Sequence, residues 1–192
     1  MSASKTSWLQ SAPLTATNAK AETPVFPFLA RLMRSEDLSA SEAAAFFRAM
    51  TGGDVGSIQI AAALTALTAK GETHEELAGM ASVVRQLAVK VKAPKTAVDI
   101  VGTGSSASKT FNVSTAAALV AAGAGQVVAK QCNRGISSNT GSTDVLSELG
   151  IKVATEPAIA QASLSGAGLG FMSAPKFHPA LTRLADTRGR LG

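Results

Sequence analysis

Several residue types are scarce in this chain, and each scarcity narrows what the protein can be. Among 192 residues there is no tyrosine and only one tryptophan. Aromatic side chains are the stacking platforms of proteins that bind single-stranded nucleic acids, and their absence near most basic positions argues against that class. The single cysteine, Cys132, excludes an internal disulfide and fits a reducing compartment. We therefore expect a cytoplasmic protein.

Acidic residues are also few, since 13 Asp and Glu stand against 18 Lys and Arg and leave a net charge of +5. A positive excess suits an anionic ligand such as a phosphate group or a nucleic acid. An ordinary solvated surface explains the same charge equally well. The longest uncharged run, residues 110–129, is interrupted by polar residues and glycines. That pattern predicts a helix, a turn and a strand rather than a membrane span.

The remaining chain divides into three parts by its patterning. Residues 1–24 are rich in Ser, Ala, Thr and Lys and predict a disordered tail. Residues 25–92 carry apolar residues at helical spacing and two capping-box patterns, one beginning at Ser39 and one at Thr73. They predict a small all-helical domain.

From residue 93 onward the sequence alternates between short apolar strands and helices, which predicts a parallel sheet covered by helices. The predicted strands are residues 97–101, 126–130, 151–154 and 169–174. The predicted helices are residues 114–124, 142–150, 158–168 and 178–192. The fold class is therefore α/β, with a small helical domain followed by the first part of a parallel-sheet domain over 93–192.

Two loops follow predicted strands and carry anion-binding chemistry. The first, GTGSSASKTFNVST over residues 102–115, combines a glycine turn with Ser114 and Thr115 at the start of a helix. Glycine-rich backbone and a helix N-terminus both attract phosphate, although a glycine turn with a helix cap would look the same. The second loop follows residue 130 and offers an amide, hydroxyls and two positive charges, Lys130 and Arg134. Two such strand ends at one sheet edge favour a ligand site.

Taken together, these motifs resemble the anthranilate phosphoribosyltransferase family of the nucleoside phosphorylase and phosphoribosyltransferase superfamily. The stretches that carry the resemblance are GETHEELAGMA, VDIVGTG, TFNVSTAAALVAAGAG, the KxxNR segment followed by SS, GSTDVLSELG, and APKFHPAL with the later Arg188. The resemblance runs without gaps from about Leu38 to Gly192. It implies transfer of phosphoribose from phosphoribosyl pyrophosphate to the amine of anthranilate, with Mg²⁺, in a homodimer formed through the helical domain.

The resemblance also implies roles for individual residues, none of them a catalytic acid or base. The residues implied to bind phosphoribosyl pyrophosphate are Gly102, Ser105, Ser106, Thr110, Asn112, Val113, Ser114, Thr115, Lys130, Asn133, Arg134, Ser137, Ser138 and Ser142. Ser114 is in addition an implied Mg²⁺ ligand. The residues implied to meet anthranilate are Gly102, Asn133, His178 and Arg188.

The sequence departs from the family pattern at both loops. The family loop GTGGDG is GTGSSA here, so Ser106 replaces an aspartate and Ala107 a glycine. The family segment KHGNR is KQCNR, so Gln131 replaces a histidine and Cys132 a glycine. Serine offers a hydroxyl in place of the charge, and Cys132 adds bulk close to the substrates.

The family chain continues well beyond this point and supplies an Asp-Glu pair that binds magnesium, so we expect this chain to correspond to the front half of such an enzyme. Three functions are open. The first is the phosphoribosyltransferase itself. The second is a shortened, non-catalytic relative that binds an anionic ligand or a nucleic acid. The third, a pyrimidine nucleoside phosphorylase, is disfavoured by the Asn133-Arg134 pair and the FNVST run.

Overall fold

A computed structural model describes residues 24–102, 111–135 and 140–191. The predicted tail lies almost entirely outside these residues. The helices of the first part are α1 (Phe26–Leu32), α2 (Ala40–Thr51), α3 (Ser57–Lys70) and α4 (His74–Leu87). The second part contains α5 (Val113–Gly123), β1 (Val128–Cys132), α6 (Ser142–Glu148), α7 (Pro157–Ala167), β2 (Leu169–Ser173), α8 (Ala174–Phe177) and α9 (Pro179–Leu191).

Both predicted capping boxes are confirmed. The Ser39 hydroxyl accepts from the Glu42 N–H at 3.3 Å, and the Glu42 carboxylate accepts from the Ser39 N–H at 2.8 Å. At the start of α4 the Thr73 hydroxyl accepts from the Glu76 N–H at 3.2 Å, and Glu76 returns the contact at 2.9 Å. Each box satisfies two backbone donors that a helix N-terminus leaves free, so the sequence fixes where α2 and α4 begin.

The core of the helical part is built where α2 and α4 cross at close range. Phe46 and Met50 of α2 and Val83 of α4 are fully buried. Gly79 makes the close approach possible, because a Cβ atom there would lie 2.1 Å from the Ala40 carbonyl oxygen. Only glycine leaves room for this crossing.

Helix α9 joins this helical core although it lies far along the chain. Its Ala180 and Leu184 belong to the same buried cluster as the residues of α2, α3 and α4. The Arg183 guanidinium donates to the carbonyl oxygens of Gly53 and Val55 at 3.2 and 3.0 Å. After the sheet, the chain therefore returns to pack on the helical core. The division into two domains at residues 92/93 stays a prediction.

The sheet is parallel, as predicted, with β1 and β2 paired from Val128↔Leu169 to Cys132↔Ser173. Two of the predicted strands are reduced to single parallel bridges, Val98↔Val128 and Ala154↔Met172. In the first of these segments the Ile100 carbonyl oxygen accepts from the Lys130 side chain rather than from a strand neighbour. In the second segment the Ile151 N–H donates to the Leu146 carbonyl oxygen of α6 rather than to a strand. Among the described residues, each of the two segments therefore forms only one bridge to a neighbouring strand.

Side chains of β1 alternate between two apolar clusters, as the pleat of a strand requires. Val128 and Cys132 pack with Phe171 against α5 and α6, and Lys130 shares that face by alternation. Ala129 packs on the opposite face, where Met172 and Phe177 lie against α7 and α8. Within the described residues, none of the helices combines the length and the apolar character needed to cross a bilayer.

Candidate functional site

Three groups from separate segments come together beside β1. The Lys130 ammonium donates to the Ile100 carbonyl oxygen at 2.6 Å and lies 3.5 Å from the Ser114 hydroxyl. Ser114 stands in the first turn of α5, directly after the first predicted loop. The structure therefore joins the two loops that the sequence singled out, through Lys130 and Ser114.

Lys130 is a buried cation, with 2 % of its surface exposed. Buried charges in proteins are normally paired with an opposite charge. In the described part of the chain Lys130 makes no ion pair. The loops 103–110 and 136–139 contain no Asp or Glu in their sequence. The charge of Lys130 is thus directed at polar neutral groups, an arrangement that favours an anion from outside the chain.

The start of α5 adds a second source of positive potential. The Asn112 side chain makes no capping hydrogen bond. The backbone carbonyl oxygen of Asn112 accepts from the backbone N–H groups of Thr115 and Ala116. Thr115 is buried, and its Oγ1 has no hydrogen-bond partner among the described residues. The N-terminal end of a helix attracts anions, so α5 and Lys130 both contribute positive potential to this site.

Asp144 organises the second loop, and the sequence analysis missed it. Its carboxylate accepts from the Gly141 N–H at 2.8 Å and from the Gly135 N–H at 3.2 Å. These backbone hydrogen bonds, the Gly141 bond first, hold the pKa of Asp144 below its ordinary 3.8. The signal that could have found it is the acidic residue three positions after the glycine that precedes α6, the spacing of a capping box.

The loop is drawn tight around Asn133, the first residue after β1. Ser142 Oγ accepts from the Asn133 N–H at 3.0 Å and lies 3.3 Å from its carbonyl oxygen. At Gly141 a Cβ atom would lie 2.3 Å from the Arg134 carbonyl carbon. The Ser142 hydroxyl therefore shapes the loop, and the Oδ1 of the exposed Asn133 side chain accepts from the Arg134 N–H at 3.0 Å.

A cavity of about 670 Å³ opens at the ends of β1 and β2, with Asn133, Arg134, Lys152 and Ser173 among the residues that line it. This volume is in the usual range for small-molecule sites. The Arg134 guanidinium is largely exposed and lies 3.3 Å from Asp144, so it is held at the rim.

On the other face of β1, Gln131 contacts His178. The Gln131 Nε2 and His178 Nε2 atoms are 3.0 Å apart. Burial, followed by the nearby charge of Lys90, lowers the pKa of His178 below 6.5. Cys132 is buried, and burial raises the pKa of its thiol, which fits a small packing residue rather than a reactive one.

The other predicted site residues are placed as follows. Gly102 and Val113 are exposed beside the first loop. Arg188 is exposed on α9, about 14 Å along the helix from the residue that follows His178, and no contact joins the two. Five predicted residues lie outside the described part of the chain: Ser105, Ser106, Thr110, Ser137 and Ser138.

The described residues around Ser114 do not by themselves fit a magnesium site. Magnesium in proteins is held by carboxylate oxygens, phosphates and water. Nowhere in the described ranges do three His, Cys, Asp or Glu side chains cluster, and the Ser114 hydroxyl lies 3.5 Å from the Lys130 ammonium. A positive charge at that distance opposes a divalent cation, so the metal role of Ser114 stays a prediction.

The helical bundle and the parallel α/β part correspond to the two domains of the glycosyl transferase family. The family model described as the helical bundle domain of the glycosyl transferase family matches residues 26–88, and that described as its a/b domain matches residues 94–192. The chain belongs to this family.

The similar proteins point to one branch of it. The chain is 46 % identical over 167 residues to the anthranilate phosphoribosyltransferase of Deinococcus radiodurans, covering 86 % of this chain and 49 % of that protein. The corresponding enzyme of Xanthobacter autotrophicus is 43 % identical over 166 residues, with 86 % and 48 % covered. The chain thus spans about half the length of the curated relatives it matches.

Solved structures of the same enzyme share the fold. The Thermus thermophilus anthranilate phosphoribosyltransferase aligns with a TM-score of 0.77 at 38 % identity, over 85 % of this chain and 50 % of that one. The Saccharomyces cerevisiae enzyme, in complex with phosphoribosyl pyrophosphate and Mg, aligns with a TM-score of 0.79 at 25 % identity, over 90 % and 52 %. The resemblance predicted from the motifs is confirmed.

Proposed function

We propose that this chain carries the substrate-binding first half of an anthranilate phosphoribosyltransferase. In that reaction the anthranilate nitrogen forms a bond to C1 of the ribose, the bond from C1 to the diphosphate oxygen breaks, and the amine gives up a proton. The observation that carries the proposal is Lys130, a buried cation of β1 that has no carboxylate partner among the described residues. The names of the relatives support the choice of substrates.

The proposed work of Lys130 is to hold the diphosphate before and after it leaves C1. Its ammonium is held in place by a hydrogen bond of 2.6 Å to the Ile100 carbonyl oxygen. Charge stabilisation by a fixed donor in a site that excludes water is the largest single term in many enzymes. The positive end of the α5 dipole and the hydroxyl of Ser114 lie on the same side.

The other substrate contacts are proposed from position, and Asn133 is the central one. It stands exposed where β1 ends, beside the cavity, and can face both substrates. The remaining proposed contacts to phosphoribosyl pyrophosphate are Gly102, Asn112, Val113, Ser114, Thr115, Arg134 and Ser142, together with Ser105, Ser106, Thr110, Ser137 and Ser138 of the two loops. Those to anthranilate are Gly102, His178 and Arg188.

We also propose that the protein is a cytoplasmic homodimer joined through its helical part, as the resemblance implies. Because the described residues do not fit a magnesium site, Mg²⁺ enters the proposal only as the counter-ion of the diphosphate. The residues of this chain then have the task of binding and orienting the two substrates.

The test is a calorimetric titration of the purified chain with phosphoribosyl pyrophosphate and Mg²⁺. Lys130→Met preserves much of the side-chain length and removes the charge, and we expect at least tenfold weaker binding because one charge-assisted contact is lost. Lys95→Met is the matched control, because it removes the same charge from an exposed residue that precedes the segment around Val98. It should leave the affinity within twofold of the unmodified chain.

Two outcomes would contradict the proposal. Absence of binding to the folded, unmodified chain would show that the strand ends do not form a diphosphate site. Equal loss of affinity in Lys130→Met and Lys95→Met would show that overall charge, rather than the site, attracts the anion. Circular dichroism of each variant establishes that it is folded.

A further inference from the structure

The contact between Gln131 and His178 joins two parts of the chain that are 47 residues apart. Gln131 is the fourth residue of β1 and projects to the face opposite Lys130. His178 follows α8 and precedes α9, and its backbone carbonyl oxygen accepts from the Leu181 N–H. The helix start is thus served by the backbone of His178, which leaves the imidazole for another use.

The contact favours one protonation state of the ring. With Gln131 Nε2 at 3.0 Å from His178 Nε2, the amide nitrogen is the donor, because it can only donate, and the ring nitrogen is the acceptor in this arrangement. An imidazole that accepts at Nε2 carries its proton on Nδ1 and is neutral. Burial and the charge of Lys90 both lower the pKa of His178, and a lower pKa also favours the neutral ring.

Two polar atoms of the pair have no partner among the described residues, although both are buried. They are Gln131 Oε1 and His178 Nδ1. A buried donor without an acceptor costs free energy, and such groups in native proteins ordinarily have a reason. A hydrogen-bond acceptor on a ligand would satisfy the Nδ1–H of His178 once it reaches this atom, which is buried in the present structure.

We propose that Gln131 is a positioning residue that holds His178 as the Nδ1–H tautomer, so that the ring offers one fixed donor to an acceptor oxygen of a substrate. The identity of that oxygen, a carboxylate oxygen of anthranilate, rests on the proposed function. The assignment of the tautomer is independent of the proposed function. Gln131 stands where the family pattern has a histidine, so this positioning device belongs to the present chain.

The tautomer is measured by nitrogen-detected NMR of the full chain labelled with ¹⁵N-histidine. The chain has only two histidines, and His74→Gln removes the exposed one, which leaves a single ring to observe. We expect the His178 signals of a protonated Nδ1 and an unprotonated Nε2. Protonated Nε2 in the unmodified chain would overturn the proposal, because the Gln131 amide would then face the ring with its oxygen.

Two variants of Gln131 separate positioning from packing. Gln131→Leu removes the donor and keeps the bulk, so the ring should lose its Nδ1–H preference. Gln131→Glu supplies an acceptor, so the ring should become protonated at Nε2 and its pKa should rise. Each variant is accepted only if its amide spectrum is that of a folded chain. An unchanged tautomer in both variants would show that Gln131 does not position the ring.

A titration with anthranilate in the presence of phosphoribosyl pyrophosphate tests the identity of the acceptor. We expect Gln131→Leu to weaken anthranilate binding about three- to tenfold, the effect of one hydrogen bond, with the affinity for phosphoribosyl pyrophosphate unchanged. If the unmodified chain shows the Nδ1–H tautomer but binds no anthranilate, the proposed function fails and the positioning role stands. If it binds anthranilate with Nε2 protonated, the positioning role fails and the proposed function stands.

Discussion

Glu76 is the residue whose replacement should destabilise the helical part most, because it is a fully buried carboxylate that serves three donors. Its Oε1 accepts from the Leu38 N–H at 2.9 Å. Its Oε2 accepts from the Thr73 N–H at 2.9 Å and from the Lys70 ammonium at 3.0 Å. The Lys70 side chain is itself only 3 % exposed. One side chain thus connects the start of α2, the end of α3 and the start of α4.

The magnitude follows from what Glu76→Ala would leave behind. Two backbone N–H groups would lose their acceptor at about 1–3 kcal/mol each, and removal of one partner from a buried ion pair costs about 3–5 kcal/mol. These terms overlap, because contacts in one network are not additive. Lys70 also keeps Asp37 at 2.7 Å and the Gly71 carbonyl oxygen at 2.8 Å. We therefore expect a loss of about 3–5 kcal/mol in the free energy of unfolding.

The assay is urea denaturation followed by circular dichroism, with Glu75→Gln as the matched control. Glu75 is the exposed neighbour in the same first helical turn, so its replacement should change the free energy of unfolding by less than about 0.5 kcal/mol. Glu76→Gln keeps the volume and one acceptor oxygen, and it should lose about 2 kcal/mol. This variant remains measurable if Glu76→Ala does not fold.

The pH dependence of the same variants gives an independent check. Burial raises the pKa of Glu76, but hydrogen bonds from Thr73, Leu38 and Lys70 outweigh it and lower the pKa below 4.5. A carboxyl with a lowered pKa in the folded state stabilises above about pH 4.5, and that contribution is lost as the pH falls further. Glu76→Gln should therefore lose less stability in acid. A Glu76→Ala variant within 1 kcal/mol of the unmodified chain would refute the reasoning.

Three further predictions concern other parts of the molecule. Gly79→Ala should destabilise by about 2 kcal/mol in urea, because the new Cβ atom would lie 2.1 Å from the Ala40 carbonyl oxygen and overpacking outweighs the gain in helix propensity. Arg183→Met should lose about 1–2 kcal/mol by the same measurement, because it leaves the Val55 carbonyl oxygen without its donor. Burial lowers the pKa of His178, so the unfolded chain takes up the proton first and stability falls as the pH drops below about 6.5. In His178→Gln the free energy of unfolding, measured by urea denaturation between about pH 7.5 and 5.5, should therefore depend less on pH.

The local features of the fold could be predicted from the sequence because their causes are local. The capping boxes at Ser39 and Thr73 depend on residues three apart, and both form as predicted. The parallel sheet follows from the alternation of strands and helices. The segments around Val98 and Ala154 were predicted as strands and form single bridges, because strand length depends on pairing with distant neighbours rather than on the apolar run itself.

The features of the site that the sequence could not supply all depend on distant contacts. The motifs singled out Lys130, but not its burial beneath the Ile100 carbonyl oxygen. Asp144 is an ordinary helix-start acid until the loop folds back on it. The partner of Gln131 lies 47 residues away, and no local pattern connects the two.

The pleat of β1 gives these separate observations one geometric consequence. Lys130 and Gln131 are consecutive, so they project to opposite faces of the sheet: Lys130 meets Ser114 of α5 and Gln131 meets His178. On the proposed function, the diphosphate lies on the first face and anthranilate reaches the second. Substrates held on opposite faces can meet only beyond the end of the strand, where Asn133 is the first residue. On that proposal, the reacting carbon and nitrogen would come together beside Asn133.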